Sequence, residues 1–243
     1  MAHPRTGYFT PDGVRALGTT TVIGRFKESG GLLWWACQQG QANPQLPVRD
    51  ALYGERDKAA DIGTAAHHLV FRHIHGLEPV DLEKATELDM GDDGKIDLTD
   101  EHRQKIQSAF DAYLSWERMT KLKITHQEIQ LVSEPYHFGG CPDAIGIIDG
   151  VPCLLDWKTS KSVYTDFLIQ LAAYGHLCEH GLMVEHDYQK LGIKVEGFHL
   201  CKFSKASGDF AHHYYPELDD AWEQFKLLLR AYDIDKKLKA RAA

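Results

Sequence analysis

The sequence predicts an α/β fold in which a mixed sheet is flanked by helices. Helical spacing of apolar residues dominates up to about residue 122, and β-rich runs with turn residues follow from about 126 to 215. Two further helical segments, one after the central strands and one at the C-terminus, supply cover for the sheet. With 243 residues, 43% hydrophobic and 26% charged, the chain has enough apolar material for one sizeable core.

Taken in order, "GGLLWWACQQG" reads as a short helix and residues 40–60 as a polar loop or part of a small lobe. "DIGTAAHHLVFRHIHG" reads as a helix capped by Asp61 or Thr64 and stopped by Gly76, with Ile62, Ala66, Leu69, Val70 and Ile74 on its inward stripe. Residues 76–100 read as a second polar loop or small lobe. "TDEHRQKIQSAFDAYLSWERMTKL" is a helix behind a Thr99 or Asp100 cap, with Ile106, Phe110, Tyr113 and Leu114 on one stripe. Strands are expected at "HQEIQLVS", "YHFGGCPDAIGII" and "VPCLLDWK", then a helix "TDFLIQLAAYGHLCEHG" from a Thr165 cap to Gly181. Strands "IKVEGFHLCKFS" and "GDFAHHYYP" and the helix "ELDDAWEQFKLLLRAYDIDKKLKA" complete the chain.

Asp149 and Gly150 lie between two β-rich runs, the pattern of a two-residue hairpin in which both turn positions take positive φ. A hairpin centred there sets Asp143 directly opposite Asp156. Side chains alternate along a strand, so Asp143, Asp156 and Lys158 share one face with Ile145, Ile147 and Leu154. The other face, with Ala144, Cys153, Leu155 and Trp157, is apolar too, as in a strand pair buried on both sides. Opposed carboxylates repel across about 5 Å and need compensating positive charge. One lysine is a poor match for two carboxylates, and a hard dication with oxygen ligands resolves the conflict. An exposed strand end with solvated aspartates and an ordinary ion pair is the other reading of the same residues.

The order of these residues resembles a known pattern. "FGGCPDAIGIIDGVPCLLDWKTSK" followed by "IQLAAYGHL", with "GTAAH" upstream at 63–67, resembles the RecB-like branch of the PD-(D/E)xK nuclease superfamily. The likeness is to its small phage exonucleases and the related mitochondrial genome-maintenance exonuclease. It implies a restriction-endonuclease-like core with an N-terminal helical lobe forming a wall of the DNA channel. One nuclease domain over 1–243 is expected, its mainly helical part at 1–122, its catalytic sheet and active-site helix at 123–215 and a C-terminal helix at 216–243.

The resemblance further implies that His67, Asp143, Asp156 and the Trp157 carbonyl hold one or two Mg²⁺ or Mn²⁺ ions. Lys158 would orient or deprotonate the attacking water, and Gln170 and Tyr174, one helical turn apart, would brace the site or contact DNA. Glu128 matches an auxiliary acid of phage members, with Glu134 as its competitor. The implied activity is exonucleolytic hydrolysis of DNA, with single-stranded ends as substrate, in phage or bacterial recombination, repair or genome processing. A structure-specific endonuclease and a non-cutting DNA-binding protein share the pattern. The five cysteines, Cys37, Cys141, Cys153, Cys178 and Cys201, lack the late cluster of iron–sulfur members, so no such centre is expected.

Composition bounds the rest. The formal net charge of -8 argues against binding of nucleic acid by bulk electrostatics, leaving a local basic strip. Arg25, Lys27, Arg49, Arg56, Lys161 and Lys205 are its candidates. Absence of a long apolar run or a secretion signal leads to the expectation of a soluble, cytoplasmic protein in a bacterial or phage-infected cell, without a membrane partner. "HHLVFRHIH" lacks the spacing of a zinc hydrolase. "DMGDDGKIDLTD" has Gly91 and Asp100 where a calcium loop needs other ligands, so an acidic turn is the better reading. Trp34 and Trp35 are candidates for base stacking, with at least one expected in the core.

Overall fold

A computed structural model of the chain describes residues 7–27, 30–90, 94–158, 160, 162–203 and 210–242, with the side chains at 31, 32, 52–61, 203 and 210 outside the description. In chain order the elements are β1 (Tyr8–Phe9), β2 (Arg15–Gly18), α1 (Thr19–Arg25), α2 (Gly30–Ala42), α3 (Val48–Ile74), β3 (Glu87–Asp89), β4 (Lys95–Asp97) and α4 (Asp100–Thr120). There follow β5 (Lys123–Gln127), β6 (Leu131–Ser133), β7 (Phe138–Gly140), β8 (Ala144–Ile148), β9 (Val151–Lys158) and α5 (Thr165–His180). The chain ends with β10 (Leu182–Met183), β11 (Gln189–Lys190), β12 (Gly197–Phe203), β13 (Phe210–Tyr215) and α6 (Asp219–Ala242). Among the described residues no helix is long and apolar enough to cross a membrane.

Two compact units divide the chain. The sheet unit is Met1–Phe26, Trp116–Lys202 and Ala211–Ala243, and the helical unit is Lys27–Ser115 with Phe203–Phe210. In the helical unit, Ile62, Ala65, Leu69 and Ile106 pack with Leu82, Leu88, Met90 and Leu98 around the β3–β4 hairpin. Thr99 caps α4, its Oγ1 accepting from the His102 N–H at 3.1 Å. Gly76, at φ 62°, stops α3: its N–H bonds the His73 carbonyl at 3.0 Å, and the Leu77 N–H bonds that of Arg72 at 2.9 Å. Only glycine takes this left-handed position without steric cost.

The sheet unit holds a mixed five-stranded sheet of order β13-β12-β9-β8-β5. Its β8–β9 hairpin has the expected register, Ala144 against Leu155 through Ile148 against Val151, turning at Asp149 (φ 51°) and Gly150 (φ 85°). Strand β9 also pairs in parallel with β12 and is central. On one face Ile145, Leu154 and Leu200 meet Ile169, Ala173, Leu177 and Cys178 of α5, which packs in turn on Phe225 and Leu229 of α6. Each fully buried aliphatic side chain here contributes about 1.5–3 kcal/mol.

Several expectations give way. Residues 48–60 are helical rather than a loop, because a polar run rich in Ala, Leu, Glu, Arg and Lys still has high helix propensity. Pro47 precedes the helix, and Thr64 lies inside it. Asp61 likewise lies inside the helix and is not its cap, and residues 91–93 of the acidic turn lie outside the described residues. "HQEIQLVS" breaks at Glu128 (φ 48°), and "YHFGGCPDAIGII" breaks over 141–143, where Pro142 cannot donate to a ladder. The released pieces join a second sheet of order β1-β2-β7-β6-β10-β11. Thr165 is the first residue of α5 and not its cap; Tyr164 stands there without a side-chain bond. Part of 76–100 is the β3–β4 hairpin.

Candidate functional site

The sequence ends β8 just where β9 continues. The Glu196 N–H donates to the Pro152 carbonyl at 3.0 Å, so even-numbered residues of β9 face β12 and odd-numbered ones face β8. Trp157 therefore turns its N–H and its carbonyl toward β8, beyond the last paired residue Ala144. Asp143 fills that gap: its Oδ2 accepts the Trp157 N–H at 2.9 Å. The Asp143 carbonyl accepts the Glu128 N–H at 3.1 Å, so the residue is tied from both neighbours.

Asp156 is 1% exposed. Lys158 closes on it, with Nζ 2.6 Å from Oδ2 and 2.8 Å from Oδ1, while keeping 20% of its own side chain exposed. Gln170 Nε2 stands 3.5 Å from Asp156 Oδ1 and donates to Tyr174 Oη at 3.1 Å. Phe167, one turn before Gln170, lies beneath the ammonium at 5.4 Å. Burial pulls the Lys158 ammonium down, but Asp156 and Asp143 outweigh it and hold its pKa above the ordinary lysine value. Burial, then the same two carboxylates, push the Tyr174 phenol well up. Burial and then Asp156, Cys153 and Asp143 do likewise for the Cys201 thiol. Both aspartates thus act on the same small volume.

The strand behind the site is shaped for it. A Cβ on Gly140 would overlap the Tyr174 ring and approach Thr19 Oγ1 to 2.9 Å, and one on Gly139 would overlap the Tyr8 ring. Neighbouring strand residues face opposite ways, so the two glycines seat one tyrosine on each side of β7. Thr19 Oγ1 donates to the Gly139 carbonyl at 2.9 Å and pins α1 to the same strand.

The structure thus gathers Asp143, Asp156, Trp157, Lys158, Gln170 and Tyr174. Glu128 is half-buried and its carboxylate, with Asp143 and Glu185, adds to burial in pushing up the Cys141 thiol. Glu134 is exposed in the β6–β7 turn. His67 is half-buried on α3 within the helical unit. Sequence reasoning missed Phe167, whose i−3 spacing from Gln170 was an available signal, and Tyr8 and Thr19, for which no local signal exists. Arg25 is paired with Asp235 at 2.6 Å rather than open to a ligand. The Arg56 side chain, Lys161 and Lys205 lie outside the described residues. Trp34 is 68% exposed and Trp35 half-buried, so neither is fully in the core.

Asp143, half-buried, and Asp156, fully buried, both act on the Lys158 ammonium, so the site concentrates carboxylate oxygens at the end of β9. Among the described residues no three His, Cys, Asp or Glu side chains are grouped to hold a metal ion. The donor set fits an ion that needs only one or two carboxylates and takes its other ligands from water and phosphate, which is the habit of Mg²⁺.

No family model matches the chain, and no curated protein matches it. Among solved structures, a candidate exonuclease from Eubacterium rectale is 14% identical over 70% of this chain and 66% of that one, at a TM-score of 0.44. An alkaline exonuclease from Laribacter hongkongensis is 13% identical over 55% of this chain and 71% of its own, at 0.30. A structure of that enzyme with dAMP gives 12%, 86% and 97%, at 0.33. The chain spans just under two thirds of the first of these.

Proposed function

We propose that the protein hydrolyses DNA phosphodiesters with the help of Mg²⁺ or Mn²⁺, as an exonuclease acting on single-stranded ends. The observation that supports this reading is the placing of Asp143 and Asp156 at the end of a central strand, Asp143 on the Trp157 N–H and Asp156 on the Lys158 ammonium. A phosphodiester resists attack because its anionic oxygens repel nucleophiles and its leaving alkoxide is unstable in water. Asp143, Asp156 and the Trp157 carbonyl would hold the ion, and His67 enters through the sequence pattern alone. A dication held by these residues would supply positive charge for the phosphate, a more acidic water and stabilisation of the leaving oxygen.

The chain's own residues do the rest. Asp143 keeps its place by accepting the Trp157 N–H at Oδ2, which sets its carboxylate at the end of the strand beside Trp157. Lys158, held between Asp156 and the Phe167 ring, brings positive charge to the attacking water and the phosphate. Gln170 spends one amide hydrogen on Tyr174 and turns the other toward Asp156, which fixes the carboxylate's rotation. Glu128, whose N–H donates to the Asp143 carbonyl at 3.1 Å, would serve as the auxiliary acid. DNAs labelled at either end, incubated with and without Mn²⁺, test the proposal. Metal-dependent release of nucleotides from one end supports it, internal cuts point to an endonuclease, and binding without cleavage in any metal refutes it.

A further inference from the structure

Away from the site, one groove of the sheet unit collects cations in a chain whose formal net charge is -8. Two cavities of about 500 and 520 Å³ adjoin there and share Arg15, Leu17, Tyr232 and Lys236. Lys226, Arg230, Asp233 and Lys236 line the α6 side at spacings of three and four, hence along one face of the helix. Arg15, Arg230 and Lys236 are exposed and have no ion-pair partner among the described residues, whereas Lys226 is held by Glu223 at 2.5 Å. Asp233 is the one carboxylate among the described lining residues. Tyr136 and Tyr232 add aromatic surface.

The opposite wall is formed by β2 and the turn before β7, joined by the Leu17 N–H to His137 carbonyl bond at 2.9 Å. Strand β7 runs from that turn to Gly140, the seat of Tyr174, a distance of roughly 10 Å for three residues. Unpaired cations with interleaved tyrosines are the chemistry that tracks a nucleic-acid strand, the cations meeting phosphates and the rings meeting bases. We propose that this groove holds the phosphate backbone of the DNA strand that feeds the site, with Arg15, Arg230 and Lys236 as its charge contacts. The inference rests on the nuclease reading for the identity of the strand.

The test is binding of a fluorescent single-stranded oligonucleotide in EDTA across a salt series. It compares the intact chain, the variant Arg15→Gln/Arg230→Gln/Lys236→Gln, and the control Lys123→Gln/Lys190→Gln/Lys194→Gln, which lines neither cavity and changes the net charge equally. Melting curves establish that each variant is folded. Loss of three phosphate contacts weakens binding by about 10- to 100-fold at 0.1 M salt and flattens the log–log salt slope by about 2. Equal losses in groove and control variants overturn the proposal, as does equal displacement of the oligonucleotide by polyglutamate. Hydrolysis of bis(p-nitrophenyl) phosphate by the intact chain with Mn²⁺ reads the site without the groove. A chain that cuts neither substrate yet shows the selective affinity loss refutes the nuclease reading and leaves the groove as a DNA surface.

Discussion

Replacing Lys158 by Met removes the ammonium that Asp156 holds and keeps most of the side-chain volume against Phe167. Asp156 is 1% exposed, and stripping the partner from a buried ion pair costs about 3–5 kcal/mol. Lys158 keeps 20% of its side chain in water, which places the cost at the lower end, about 3 kcal/mol. For a chain of this length that is a fall in Tm of about 6–12 °C. The assay is thermal or urea unfolding in EDTA, repeated with millimolar Mn²⁺. In EDTA the single variant loses the full amount, and Asp156→Asn/Lys158→Met loses less, because the buried Asp156 carboxylate is no longer left without its ammonium. With Mn²⁺ the single variant regains stability and the double variant does not. A loss below about 1 kcal/mol in EDTA, or a recovery with Mn²⁺ equal in both variants, would refute the reasoning that buried, like-charged oxygens create the site.

Gly140→Ala should lower stability by about 1–3 kcal/mol by driving a methyl group into the Tyr174 ring, and adding Tyr174→Leu should return part of it in the same melt. Asp143→Asn should change stability by less than about 1 kcal/mol, since its amide oxygen still accepts the Trp157 N–H, as chemical denaturation would show. Acid should destabilise the fold between pH 6.5 and 4. His199, 7% exposed and bonded to His212 at 2.7 Å, is pushed down to about 4 chiefly by burial. The unfolded chain therefore takes up this proton first as pH falls, and stability present above 6.5 is lost by up to about 3 kcal/mol. Unfolding of His199→Phe against pH should show a correspondingly flatter acid limb.

The hairpin and its carboxylates were legible because a side-chain period of two and an Asp-Gly turn leave one register. That Gln170 and Tyr174 share one face of a helix was legible from their spacing, and their place beside Asp156 was implied by the resemblance alone. The start of α3 was hidden, since a polar helix and a polar loop share composition. The breaks at Glu128 and Pro142 were hidden inside β-rich runs, and the six-stranded sheet is built from strands of two to four residues, too short to carry a period. Phe167 reads locally as a core residue; its spacing from Gln170 put it on the same helix face, but its place beneath Lys158 comes from the fold. Tyr8 meets Gly139 across most of the sequence, which no local pattern encodes.

The central claim is that Asp143 and Asp156 together make a place for a dication. Titration of Mn²⁺ followed by electron paramagnetic resonance, on the intact chain and on Asp143→Asn and Asp156→Asn, tests it most directly. The account predicts one or two bound ions in the intact chain and at least a tenfold loss of affinity in each variant, about 1.4 kcal/mol or more. Unchanged binding in both variants, or no binding in the intact chain, would contradict it.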